Sequence, residues 1–122
     1  MTESLGQKQR RFARMVPRLI DKAHKLGFEV SLGDAYRDPR SHGPIGKRKA
    51  YGSANSNHKR RLAIDLNLFK RDAAGRMNYC SSTEEHRALG EWWMQQGADH
   101  EWGGANGRSD GNHYSIRHGS QW

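Results

Sequence analysis

The chemistry of this chain gathers in two short segments that hold two histidines and two aspartates. Ser56-Asn57-His58 leads through Lys59, Arg60, Arg61, Leu62, Ala63 and Ile64 to Asp65, and much later comes Asp110-Gly111-Asn112-His113. Together they supply two imidazoles, one carboxylate, and a second carboxylate three residues ahead of the last imidazole. Such a set is what a catalytic zinc site uses. Three protein ligands leave a fourth position for water, and a nearby carboxylate moves that water's proton. His58 precedes a strand whose polar side carries Asp65. His113 follows Asp110 closely enough for one of them to bind metal while the other addresses water. On spacing alone a structural reading stays open, because seven histidines in 122 residues bring some together by chance.

These side chains need elements to position them. Phe12, Met15, Val16, Leu19, Ile20, Ala23 and Leu26 recur at three- and four-residue steps, the stripe of an amphipathic helix, with Gly27 where its C-terminus belongs. Pro17 inside that stripe predicts a kink or a restart. His24 on this helix reads as solvated or capping. Phe28, Val30 and Leu32 alternate with polar neighbours as a half-buried strand. Residues 38–57 then lack apolar periodicity, and a connection of that length is expected to lie over a site as a rim or lid.

Leu62, Ile64, Leu66 and Leu68 alternate with Ala63, Asp65, Asn67 and Phe69. This is a second strand, and its parity turns Asp65 away from the leucine face toward a cleft. Asp72-Ala73-Ala74-Gly75 forms the following turn. Ser82 to Glu85 has capping-box spacing, and Ala88, Leu89, Trp92 and Trp93 predict a second helix ending at Gly97. His86 reads as a surface residue of that helix. Short strands or a hairpin are expected around Trp102 and His113–Ile116. The expected fold is α+β: a small, mostly antiparallel sheet, two main helices, and the metal site on the open face of the sheet. Residues 1–122 form a single domain in this reading.

Composition bounds the rest. Hydrophobic residues make up 34% of the chain and mean hydropathy is −1.07, so the core must be small and lean on its four Trp and four Tyr. Cys80 is the only cysteine, which excludes an internal disulfide and a thiolate metal site, and it reads as an inert small residue. No apolar run suits a conventional signal peptide or a membrane span, so synthesis in the cytoplasm is expected. The net charge of +8 suits a nucleic acid or an anionic cell-wall polymer, but no recognition helix or RNA-binding aromatic motif accompanies it.

Ser56-x-His58, Ala63-x-Asp65, Asp110-x-x-His113 and the upstream pair Tyr36-Arg37 resemble the VanY-like D-alanyl-D-alanine carboxypeptidase group of zinc metallopeptidases. The short bacteriophage endolysins that cut peptidoglycan stem peptides belong to that group. The resemblance runs from about Val30 to Ser115, in the family's order. It implies Zn2+ held by His58, Asp65 and His113, with Asp110 as general base and then general acid. It also implies Arg37 at the scissile carbonyl and Ser56 in support of the site or in contact with substrate. The implied substrate is the peptide stem of peptidoglycan, cut as an endopeptidase or a carboxypeptidase. Cytoplasmic synthesis, action on the wall after release, a monomer and no nucleic-acid partner complete this reading. A non-catalytic, zinc-stabilised phage structural or wall-binding module is the alternative, and a retained base and substrate arginine weigh against it.

One departure stands out: the family motif carries glycine three residues after the first histidine, where this chain has Arg61. A different local backbone is expected there. His42, His100 and His118 match no motif position and read as structural or surface residues, with His42 able to reach substrate from the long loop.

Overall fold

Ser4 starts the first helix, α1 (Leu5–Lys25), through a reciprocal capping box: its Oγ accepts from the Gln7 N–H, and the Gln7 amide oxygen accepts from the Ser4 N–H. Phe12, Met15, Leu19 and Ala23 form its buried face. Each of the three larger side chains contributes roughly 1.5–3 kcal/mol by leaving water. The helix runs unbroken through Pro17, so the expected restart does not occur; the proline lies on the exposed side. Gly27 adopts φ 93°, and the N–H groups of Gly27 and Phe28 close onto the carbonyls of His24 and Ala23. That is a full Schellman stop, which needs the left-handed residue that glycine supplies.

The computed structural model describes residues 2–38, 45–46 and 56–119. Most of the expected rim at 38–57, including His42, lies outside the described residues.

Strand β1 (Glu29–Leu32) pairs antiparallel with the long central strand β2 (Ala63–Arg71), which hairpins through Asp72–Gly75 into β3 (Met77–Tyr79). After a short 3-10 turn comes α2 (Arg87–Gln95), then β4 (His100–Trp102) and β5 (His113–Ile116), which pair antiparallel. β5 also pairs with β2, so the sheet order is β1-β2-β5-β4, with β3 beside the far end of β2. The two helices and the small antiparallel sheet match the fold expected from the sequence.

Parity divides the sheet. Ile64, Leu66 and Leu68 of β2 join Tyr114 and Ile116 of β5 in a core with α1, α2 and Trp102. Asp65 and His113 point to the other face. Cys80 is buried, as expected of an inert residue, and burial pushes its thiol pKa up. Among the described residues no helix is long and apolar enough to cross a membrane.

Candidate metal centre

Register alone brings two of the candidate ligands together. Asp65 on β2 and His113 on β5 are directly opposed in the antiparallel ladder, so their side chains leave the same face as neighbours. The Asp65 backbone is clamped from the other edge. Its N–H donates to the Asp34 carbonyl at 2.7 Å and its own carbonyl accepts from the Gly33 N–H at 2.8 Å.

His58 arrives from a 3-10 turn, Asn57–Arg60, directly ahead of β2. Ser56 caps that turn, its Oγ accepting from the His58 N–H at 3.2 Å. The buried Asn57 amide donates to the Ile116 carbonyl at 3.0 Å, which ties the turn to the end of β5. The turn ends at Arg61 in the left-handed conformation, φ 60° and ψ 34°. The different backbone expected from losing the motif glycine is therefore not adopted: the arginine takes up the conformation that a glycine would hold most easily. Closing the turn requires it, because the Arg61 and Leu62 N–H groups return to carbonyls of the turn. The Arg61 guanidinium stacks over the Tyr36 ring, 4.1 Å from its centroid.

The three donor atoms converge. His58 Nε2 lies 3.1 Å from Asp65 Oδ1 and 3.2 Å from His113 Nδ1, and His113 Nδ1 lies 3.5 Å from Asp65 Oδ1. A tetrahedral zinc site with bonds of about 2.0–2.1 Å has ligand–ligand edges of about 3.3–3.4 Å, so the triangle fits one face of such a tetrahedron. The far nitrogen of His58, Nδ1, sits 2.8 Å from the Ala35 carbonyl. Donation there leaves Nε2 as a bare lone pair aimed at the other two donors, the outer contact that metal-binding histidines use. Lone pairs this close repel unless a proton or a cation sits among them. Burial raises the Asp65 pKa, but the His113 and His58 imidazoles that face it outweigh that and hold the carboxyl well below the usual range. The aspartate is thus an anion ready for a cation.

Arg37 borders this centre. Its N–H donates to the His58 carbonyl at 3.1 Å, its Nη1 to Ser56 Oγ at 3.2 Å, and its Nε to Asp34 Oδ2 at 3.3 Å. Ser56 thereby links the arginine to the turn that carries His58. Asp110 stands on the turn entering β5, exposed, and its carboxylate is not one of the three converging donors. That turn is held by the Asp110 N–H on the Gly103 carbonyl, the His113 N–H on the Asp110 carbonyl, and Trp102 Nε1–H on the Gly111 carbonyl at 2.7 Å. Gly103 makes the approach possible: a Cβ there would fall 2.0 Å from the Asp110 carbonyl oxygen. Asp110 also lines a polar cavity of about 130 Å³ with Ser82, Thr83 and Ser109.

A family model described as D-alanyl-D-alanine carboxypeptidase matches residues 50–116, a little over half of the chain. The chain belongs to this peptidase family. The match spans Ser56, His58, Asp65, Asp110 and His113, while Arg37 lies ahead of it. A search of curated proteins returns no match to the peptidase.

Other histidines fall elsewhere. His86, expected on the surface, is 2% exposed, with Nδ1 2.9 Å from the Tyr114 hydroxyl. The capping box at Ser82 is present, but it opens a 3-10 turn, Glu84–His86, before α2, and that turn swings His86 inward. His100 is buried against Trp93, its Nδ1 3.0 Å from the Trp93 carbonyl, and His24 is exposed. Sequence reading missed the groups that brace the site: the Ala35 carbonyl, Asp34, and the indole N–H groups of Trp93 and Trp102. Trp93 Nε1–H donates to the Ser115 carbonyl at 3.0 Å. The Gly103-Gly104 pair after Trp102 was the available signal of a close approach.

Proposed function

We propose that the peptidase is zinc-dependent and hydrolyses amide bonds in the peptide stems of bacterial peptidoglycan, in the manner of a phage endolysin that acts on the wall after cytoplasmic synthesis. The observation that carries this reading is the triangle of His58 Nε2, Asp65 Oδ1 and His113 Nδ1 at 3.1–3.5 Å. Two imidazoles and one carboxylate suit zinc and leave one position open. Bound zinc supplies Lewis acidity, bringing the pKa of water toward neutrality and polarising the scissile carbonyl.

The chain's own residues supply the rest. Asp110 takes the proton of the attacking water and passes it to the leaving amine. The turn that carries Asp110 is pinned by Trp102 and Gly103 directly ahead of His113. Arg37 offsets the negative charge that develops on the carbonyl oxygen. Ser56 and Asp34 hold its guanidinium, so its direction is set before substrate arrives.

Purified wall incubated with the zinc-loaded protein should release new amino termini or free D-alanine. A chelator should stop the release and added zinc should restore it. Mass spectrometry of the products distinguishes cleavage between L-Ala and D-Glu from cleavage at a cross-bridge or loss of terminal D-Ala. Zinc-loaded protein that leaves wall peptides intact would sink the reading.

A further inference from the structure

Two stretches of the sequence carry its positive charge: residues 37–61, with eight basic residues against one acidic, and α1, with seven against one, Asp21. Of the two, α1 sets its cations in a regular row. Arg10, Arg14, Arg18 and Lys22 follow one another at four-residue steps, about 6 Å apart along the axis. The three arginines are exposed and Lys22 is half-buried. Among the described residues no carboxylate pairs with any of the four, whereas Arg11 is taken by Glu3 and Asp99, and Lys25 by Asp21. Every step along this row sets like charges at i and i+4, which works against the helix.

Two hollows lie along the same row. One, of about 270 Å³, is bordered by Arg10, Arg11 and Arg14; the other, of about 300 Å³, by Arg18, Lys22, Lys25 and Trp92. The acids at their margins, Glu3 and Asp21, are already paired. Guanidinium groups favour phosphate through paired hydrogen bonds, and three of the four cations in the row are arginines. Trp92, half-buried, borders the second hollow beside Arg18.

We propose that this row on α1 binds a wall-linked polymer of repeating phosphodiesters. The proposal rests on the peptidase reading for its location, since that reading places the protein at the wall. A bilayer fits the surface less well: the apolar face of α1 (Phe12, Met15, Leu19, Ala23) is buried in the core, and the exposed positions between the arginines are Ala13 and Pro17. α1 packs on the covered face of the sheet, opposite the metal centre. A polymer held there leaves the cleft open to stem peptides and keeps the enzyme beside its substrate.

The test is co-sedimentation of the full chain, at low ionic strength and in the cold, with walls that carry their phosphodiester polymer and with the same walls after hydrofluoric acid has stripped it. Wild type should bind the intact walls roughly tenfold more tightly, and salt should erase the difference. Arg14→Gln with Arg18→Gln should close that gap and leave thermal unfolding unimpaired, with hydrolysis of a short soluble stem peptide unchanged. Equal binding to stripped walls, or wild-type binding by the double variant, overturns the proposal. So does tighter binding to vesicles of anionic phospholipid than to intact walls. Failure of both zinc-loaded proteins to cut the stem peptide would instead overturn the peptidase reading, and the comparison of walls would still decide this one.

Discussion

The two faces of the sheet each bury a pair of histidines and put them to opposite uses. On the open face His58 and His113 turn ring nitrogens toward one another and toward Asp65, within 3.1–3.5 Å. On the covered face His86 and His100 each direct Nδ1 to a single oxygen, the Tyr114 hydroxyl and the Trp93 carbonyl. All four rings are at most 5% exposed, so burial does not separate a ligand from a structural residue. Convergence does. A ring nitrogen matched to one oxygen is a finished hydrogen bond, while several lone pairs aimed at one point leave a place for a cation.

The strongest way to break this comparison is to remove a ligand on one side and a histidine on the other. Asp65→Asn or His113→Ala should lose bound zinc, and turnover should fall below detection. His86→Phe should keep a full equivalent of metal. It should also lose about 1–3 kcal/mol of stability, because the buried Tyr114 hydroxyl is left without its partner. Elemental analysis beside denaturant unfolding reads both effects. Equal metal loss in the His86 and His113 variants would erase the distinction between the two faces.

A narrower effect separates binding from chemistry on the open face. Asp110→Asn should keep the metal, since Asp110 lies outside the converging donors, and should slow turnover by about 10²–10⁴ as the proton carrier is lost. Metal loss in this variant would move Asp110 from acid–base work into the coordination sphere.

Acid provides a reagent-free test of the covered face. Burial lowers the pKa of both His86 and His100 from the usual 6.5. In the unfolded chain these rings take up protons as pH falls through about 6.5, while in the fold they resist, so the unfolded state binds more protons. Stability of the metal-free protein should therefore decline as pH drops below about 6.5, and flatten once the folded-state values are passed. Replacing both rings with Gln should shrink that slope. An unchanged slope would place its origin elsewhere.

The contrast also marks what the sequence could disclose. The parity of Leu62 through Phe69 placed Asp65 opposite the leucine face, because alternation is local and needs no partner. The pairing of Asp65 with His113 is not local: Asn57 on Ile116 and Trp93 on Ser115 set it across long stretches of chain. β3 escaped notice because Met77, Asn78 and Tyr79 are all exposed and show no alternation. The 3-10 turn that carries His58 is polar throughout, so no periodicity marked it. His86 was misplaced for a related reason. A capping box announces a helix start but not whether the first turn is 3-10 or α, and that choice shifts the phase of every side chain after it.

The smallest expected effect concerns the residue that the sequence made conspicuous. Arg61 holds a left-handed backbone at φ 60°, which costs a side-chain-bearing residue roughly 1–2 kcal/mol. Its guanidinium recovers about 0.5–1 kcal/mol by stacking on Tyr36. Arg61→Gly removes the strain and the stack together and adds chain entropy to the unfolded state, so its stability should stay within about 0.5 kcal/mol of wild type. Arg61→Ala loses the stack and keeps the strain, and should fall about 1 kcal/mol below the glycine variant. The gap between the two variants is the informative quantity, because loss of the stack cancels in it. Equal stability of the two would mean that the turn ahead of β2 does not need a left-handed residue in solution, and His58 would then owe its direction to Ser56 and Ala35 alone.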